Sequence, residues 1–258
     1  MKQYIVDAFT DKIFSGNPAA VCVLDSFPSE DIMQSIAAEN NLSETAFVVK
    51  ETDRYHIRWL TPKKEIDFCG HATLATAFIL FNYYDQDADS LNFYSQIGEF
   101  TVRRSGELIR MEFPEYKLEH IEITDMMIEA LGTIPLAAYK DRDILFVLRD
   151  EDEVRDLKPD MELISKLDGA CVAVTAKGRD YDCVSRVFAP KYGMNEDPVT
   201  GSTHCIIAPY WSRRLNKTNI SAFQASSRTG ILYCECVGDK VIISGKAVLF
   251  SINDIVAL

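Results

Sequence analysis

The first residues of the chain alternate: Tyr4, Val6 and Ala8 are apolar and interleaved with Gln3 and Asp7, the period-two pattern of a half-buried strand. That pattern predicts strands at 3–9 and 19–24, with Gly16-Asn17-Pro18 as the loop between them. The period then lengthens. Ile32, Met33, Ile36 and Ala37 share one face of a helix that starts near Ser29, whose hydroxyl is placed to cap it, and that stops by Asn40-Asn41. A short polar turn, Leu42-Ser43-Glu44, feeds a strand through Val49, with a hairpin partner at 55–60. Ala72 to Phe81 is almost wholly apolar and reads as a buried helix, and strands at 91–95, 99–104 and 107–113 form a meander punctuated by Gly98 and Gly106. Further on, Thr124 caps a short helix that Gly132 ends, strands are expected near 144–149, 170–175 and 183–188, and Cys205 to Trp211 is a second buried helix. Strands at 231–236, 240–244 and 246–250 close the chain as an antiparallel ladder, the last residues crossing back onto the first half.

This order of elements repeats. Arg58-Trp59-Leu60-Thr61-Pro62 followed by Cys69-Gly70-His71-Ala72-Thr73 recurs as Arg186-Val187-Phe188-Ala189-Pro190 followed by Thr200-Gly201-Ser202-Thr203-His204. The copies are offset by 128 residues at the prolines and by 131 at the glycines, and the three extra residues of the second copy are read as bringing in Glu196-Asp197-Pro198. Counting back from the prolines sets Asp168-Gly169 where the first copy has Ser43-Glu44. Each buried helix thus begins at a Gly-polar-small turn. The first N–H groups of a helix lack intrahelical partners and carry about half a positive charge, which suits an anion. One such turn is ordinary punctuation, whereas two at matching positions suggest a shared small anionic ligand, most simply a carboxylate.

Composition narrows the field. The 258 residues suffice for two domains of roughly 120 residues each. Hydrophobic residues make up 47% and charged residues 26%, as in ordinary globular proteins. A net charge of −12 and a pI near 4.8 disfavour nucleic acid, which needs clustered Lys and Arg. There is no run of 18 apolar residues and no basic-then-apolar leader, so neither a membrane span nor a signal peptide is expected. Seven scattered cysteines fit reduced thiols in a cytoplasm. Four histidines with no HExxH or paired CxxC give no expectation of a metal, and the absence of a GxGxxG or phosphate-loop pattern disfavours nucleotide cofactors.

The chemistry-bearing residues gather around the repeated turns. Glu44, at the start of an apolar strand, is a loop carboxylate or, at the rim of an apolar cleft, a general acid/base with a raised pKa. His71 caps its helix or polarises a substrate carbonyl or carboxylate, and Asp197 precedes the second helix. Thr200 and Ser202 offer hydroxyls suited to holding a ligand, and Ser202 lacks the GxSxG context of a hydrolase. Cys69 beside a helix N-terminus is a small buried residue or an activated thiol. Its counterpart, Thr200, cannot act as a base, which excludes a symmetric two-thiol racemase.

Asp7-Ala8-Phe9-Thr10 with Gly16-Asn17-Pro18-Ala19-Ala20-Val21, then Asn41-Leu42-Ser43-Glu44-Thr45, Cys69-Gly70-His71-Ala72-Thr73-Leu74-Ala75 and Glu196-Asp197-Pro198-Val199-Thr200-Gly201-Ser202, in this order, resemble the phenazine-biosynthesis PhzF-like family, which is related in fold to diaminopimelate epimerase. The resemblance covers nearly the whole chain. It implies an α+β fold of two pseudo-symmetric halves, each a rolled, mostly antiparallel sheet around a central helix, with the active site in the cleft between them. The halves are expected at 1–115, completed by a last strand at about 247–258, and at 116–246. The resemblance also implies an isomerase or epimerase with no cofactor and no metal, often dimeric, in which Glu44, His71 and Asp197 are catalytic and Asn17, Gly70, Ala72, Thr200, Gly201 and Ser202 hold the substrate. The resulting expectation is a cytoplasmic, cofactor-independent isomerase moving a proton on a small carboxylate-bearing metabolite. Two readings stand beside it: a catalytically silent binder of small acids, and a thiol-dependent racemase using Cys69.

Overall fold

The computed structural model describes residues 1–256. The chain divides into two compact units, one formed by Met1–Glu112 with the segment from Ser244 onward, the other by Phe113–Ile243. The first contains β1 (Lys2–Ala8), β2 (Asn17–Leu24), α1 (Glu30–Asn40), β3 (Glu44–Glu51), β4 (Arg54–Leu60), β5 (Glu65–Ile66), α2 (Gly70–Ile79), β6 (Ser90–Ser95), β7 (Gly98–Ser105) and most of β8 (Leu108–Pro114). The second contains β9 (Glu119–Ile121), α3 (Asp125–Leu131), β10 (Ala137–Lys140), β11 (Ile144–Val147), α4 (Glu151–Asp156), α5 (Met161–Lys166), β12 (Val172–Lys177), β13 (Cys183–Ala189), β14 (Met194–Asp197), α6 (His204–Leu215), β15 (Asn219–Gln224), β16 (Gly230–Val237) and most of β17 (Lys240–Gly245). The last strand, β18 (Ala247–Asp254), pairs antiparallel with β1 and so completes the first unit.

The two units repeat one pairing scheme. In the first, β1/β2 is antiparallel, β2/β3 parallel, β3/β4 and β4/β5 antiparallel, β4/β6 parallel and β6/β7 antiparallel. In the second, β10/β11, β11/β12, β12/β13, β13/β14, β13/β15 and β15/β16 follow the same series. Each parallel pair is bridged by helix, as a parallel connection requires. Each unit is therefore an α+β, mostly antiparallel sheet with one long buried helix, α2 or α6.

Strand parity decides which side chains meet those helices. On β3, Phe47 joins Cys22, Met33, Ile36 and Leu60 in the cluster under α1, so Glu44, Ala46 and Val48, two residues apart, face the other way. Helix α2 packs on that side, against β1, β2 and β3, and nine of its ten residues are buried. In the second unit Val172, Val174 and Phe188 belong to the core with α4 and α5, while Thr175 accepts the Trp211 indole N–H of α6 on the opposite face at 2.9 Å.

Ladder register also locates the three-residue insertion. Leu60 pairs with Glu65, and its counterpart Phe188 pairs with Glu196, so Glu65 and Glu196 are equivalent. The extra residues lie in the 3-10 turn Pro190–Tyr192 and Gly193 that follows β13, and Glu196-Asp197-Pro198 is not the inserted segment. The same ladders pair Thr45 with Leu60 and Val172 with Phe188, which makes Cys171, rather than a residue of Asp168-Gly169, the counterpart of Glu44. Equivalent arginines hold the equivalent glutamates in two-pronged ion pairs: Arg58 to Glu65 at 2.8 and 2.6 Å, Arg186 to Glu196 at 2.8 and 3.0 Å.

Local expectations hold in part. Asn41 ends α1 in the left-handed conformation, Thr124 caps α3 by accepting from Met127 N–H, and left-handed Gly132 ends that helix. Ser29 occupies the cap position of α1 but its hydroxyl makes no capping bond, and Ile32 is partly exposed. Asn17 and Pro18 lie within β2 rather than in the loop before it.

Candidate active site

In the first unit the tight link between β1 and β2 brings Asn17 into place. Gly16 is left-handed, and a Cβ there would sit 2.2 Å from the Ala8 carbonyl oxygen, so only glycine allows the chain to fold back so closely. The buried Asp7 carboxylate closes the link by accepting Phe14 N–H at 3.0 Å. Asn17, fully buried at the start of β2, then points its amide at His71 Nδ1, 3.2 Å away.

His71 is the second residue of α2. The first N–H bonded back in this helix is that of Thr73, to Cys69 O at 3.1 Å, which leaves Gly70, His71 and Ala72 as the partner-seeking N–H groups of its first turn. With the Asn17 amide donating to Nδ1, the imidazole carries its proton on Nε2, which lies 3.2 Å from Glu44 Oε2 without the alignment of a full hydrogen bond. Cys69 Sγ is 3.4 Å from Nδ1. Burial pushes the His71 pKa down to about 3, so the ring is neutral at physiological pH. Asn17, Glu44, Cys69, Gly70, His71 and Ala72 thus converge on one helix end, and Glu44 is only 8% exposed.

The second unit builds a different turn. Helix α6 starts at His204 rather than at Gly201, because Gly201, Ser202 and Thr203 form a tighter preceding turn in which His204 N–H bonds Gly201 O and Cys205 N–H bonds Ser202 O, both at 3.0 Å. Asp197, the last residue of β14, accepts the Thr200 hydroxyl at 2.6 Å. Two residues without a role in the sequence reading hold this turn. Gln224, fully buried at the end of β15, accepts Thr200 N–H at 2.9 Å and donates to Asp197 O at 2.8 Å. Asp143, fully buried before β11, accepts the Thr203 hydroxyl at 2.7 Å and Cys171 N–H at 3.1 Å. His204 Nδ1 donates to Thr200 O at 2.8 Å, and burial lowers its pKa to about 4. Cys171 is pushed up to about 12 by burial, so it is no thiolate. Asp197, Thr200, Gly201 and Ser202 are therefore brought together here, as Asn17, Glu44, Gly70, His71 and Ala72 are in the first unit.

Among the described residues Glu44, Cys69 and His71 form the one group of metal-ligating side chains whose donor atoms lie within 4.8 Å of one another. All seven cysteines are free thiols, and no helix of the described residues is long and apolar enough to cross a membrane.

Comparison with known proteins identifies the family and the fold. The family model for phenazine biosynthesis-like proteins (PhzC/PhzF) matches residues 6–252. An uncharacterized isomerase of Pseudomonas aeruginosa is 48% identical over 245 residues, covering 95% of each chain. A crystal structure of a PhzF-family protein from Enterococcus faecalis superposes with a TM-score of 0.95 at 51% identity, covering 97% of both chains. More distantly, a structure described as a probable proline racemase of Agrobacterium radiobacter shares the fold, with a TM-score of 0.64 at 10% identity, covering 99% of this chain and 93% of that one. The chain belongs to the phenazine biosynthesis-like (PhzC/PhzF) family and is an isomerase of that type.

Proposed function

We propose that this isomerase shifts a proton on a small carboxylate-bearing metabolite without a cofactor, with Glu44 as the general acid/base. The observation that carries the reading is a carboxylate nine-tenths buried, 3.2 Å from an imidazole that burial keeps neutral, at the first turn of a buried helix. A desolvated carboxylate is a stronger base than one in water, and the neutral Nε2–H facing it orients the group without annulling its charge by protonation. Glu44 takes a proton from a carbon next to a carboxylate or an unsaturated group. The C–H electron pair moves into the adjacent π-system, and the charge that develops on oxygen is stabilised by the N–H groups of Gly70, His71 and Ala72. Glu44 then returns the proton at the same carbon or at the other end of the delocalised system, so nothing is gained or lost overall.

In the second unit Asp197, Thr200, Gly201 and Ser202 are assigned to holding a small acid. There Ser202 with the N–H groups of its turn grips a carboxylate, and Asp197 fixes the Thr200 hydroxyl. The experiment is deuterium wash-in from D₂O across a panel of unsaturated and hydroxylated acids. Glu44→Gln keeps the shape of the site and is expected to lower exchange by about 10²–10⁴ while folding and binding persist. Unchanged exchange in that variant refutes the role of Glu44, and binding without exchange by the native protein at every acid tested favours the silent binder.

A further inference from the structure

The proton-transfer reading uses Glu44 and His71 but leaves Cys69 idle, although its sulfur stands 3.4 Å from the His71 ring. The donor set is one thiol, one imidazole and one carboxylate, all three at least nine-tenths buried, with a donor atom of each within 4.8 Å of the others. Thiolate, imidazole and carboxylate are each ligands that zinc takes. Around a tetrahedral Zn²⁺, with Zn–S of about 2.3 Å and Zn–N of about 2.0 Å, sulfur and nitrogen lie roughly 3.5 Å apart, so the Cys69–His71 spacing needs almost no adjustment. Glu44 stands 3.2 Å from Nε2, across the ring from the sulfur, so for all three side chains to reach one ion the carboxylate must swing round and the ion must take the place of the Asn17 N–H at Nδ1. At least one coordination position then remains open to water or to an anionic substrate.

The geometry points to a regulatory cation site: a thiophilic divalent ion, Zn²⁺ foremost, binds Cys69, His71 and Glu44 and silences the enzyme while it is bound. Binding depends only on the three side chains. Its inhibitory effect rests on the proposed role of Glu44, since the ion withdraws the carboxylate and the imidazole from proton exchange. Among the described residues no other cysteine belongs to a group of three metal-ligating side chains. Burial raises Cys22, Cys171, Cys183, Cys205 and Cys234, and only Cys236 is half-exposed.

The test uses the reduced, chelator-treated full chain and two probes. Cobalt(II) titration reads thiolate ligation directly through its sulfur-to-metal charge-transfer absorption, and Zn²⁺ affinity is measured by competition with a chromophoric chelator. The native protein and Cys236→Ala are expected to develop the band with one equivalent of cobalt, and Cys69→Ala to show none. Cys69→Ala and His71→Asn are both expected to weaken Zn²⁺ by at least the roughly 100-fold typical of losing an outer-shell partner. Deuterium exchange should be blocked by Zn²⁺ in the native protein and persist under the same Zn²⁺ in Cys69→Ala. A cobalt spectrum or zinc affinity unaltered by Cys69→Ala overturns the site, as does exchange activity that requires Zn²⁺. A Cys69-dependent cobalt band in a protein that exchanges no substrate proton leaves the metal site standing and overturns the catalytic reading alone.

Discussion

Acid should destabilise this protein through His204, and by an amount that can be worked out. The ring is fully buried, its Nδ1 donates to Thr200 O at 2.8 Å, and burial lowers its pKa from 6.5 to about 4. A histidine whose folded pKa lies below its unfolded one binds fewer protons when folded. Its contribution is therefore complete above the unfolded value near 6.5 and is lost as pH falls towards 4. With those two values, lowering the pH from 7 to 4.5 removes about 2 kcal/mol, as the unfolded chain takes up a proton that the folded ring largely refuses. His204→Asn keeps a donor for Thr200 O but cannot titrate. The assay is urea unfolding of both proteins at pH 7 and 4.5, read at the tryptophans. The variant should be the less stable at pH 7, because the smaller side chain leaves a cavity, yet its pH dependence should be shallower than the native protein's by that amount. Parallel pH profiles for the two proteins would refute the claim that His204 is neutral when folded.

Other substitutions probe the rest of the frame. Gln224→Leu leaves Thr200 N–H and Asp197 O without their buried partner, so it should cost about 1–3 kcal/mol in urea unfolding and raise KM more than it lowers kcat. Gly16→Ala forces a Cβ against the Ala8 carbonyl at a left-handed position; it should destabilise by more than about 1 kcal/mol and, by moving Asn17, reduce exchange activity, whereas the same change at exposed, uncrowded Gly98 should spare activity. Arg186→Lys, which cannot reproduce the two-pronged grip on Glu196, should lower the melting temperature, with Arg58→Lys acting likewise on Glu65; equal melting temperatures would show the paired forks to be dispensable.

The sequence made legible what depends on near neighbours and on repetition. The caps Thr124 and Gly132, the stop at Asn41 and the strand carrying Glu44 are local, and local pattern found them. The family motifs in turn marked Asn17, Glu44 and His71, which the fold brings to one helix end. Gln224 and Asp143 escaped because each holds a turn 24 or 60 residues away, and nothing around them in the chain distinguishes a buried clamp from a surface amide or acid. Ser29 misled for the opposite reason: its local context is right for a cap, but its side chain makes no capping bond. The insertion was misplaced because two anchors fix only how many residues lie between them. Backbone pairing, which sets Glu65 opposite Leu60 and Glu196 opposite Phe188, is what says where the extra ones sit.

Once the insertion is placed correctly, the duplication separates frame from chemistry. The frame is shared: identical ladder order in each unit, Arg58–Glu65 matched by Arg186–Glu196, and a buried helix after each. The reactive positions are not. Glu44 corresponds to Cys171, Cys69 to Thr200, and Asp197 to Ile66. The candidate acids stand at positions that do not correspond, Glu44 on β3 of the first unit and Asp197 on β14 of the second. Two equivalent bases would give each face of a carbon the same proton carrier. The acid of the first unit stands beside a neutral imidazole and that of the second is hydrogen-bonded to a hydroxyl, so the two are not interchangeable as proton carriers. The asymmetry is open to test: Glu44→Gln should abolish wash-in at the carbon that loses its proton, while Asp197→Asn should slow turnover with less effect on that exchange. Equal losses of exchange in the two variants would refute that difference of role.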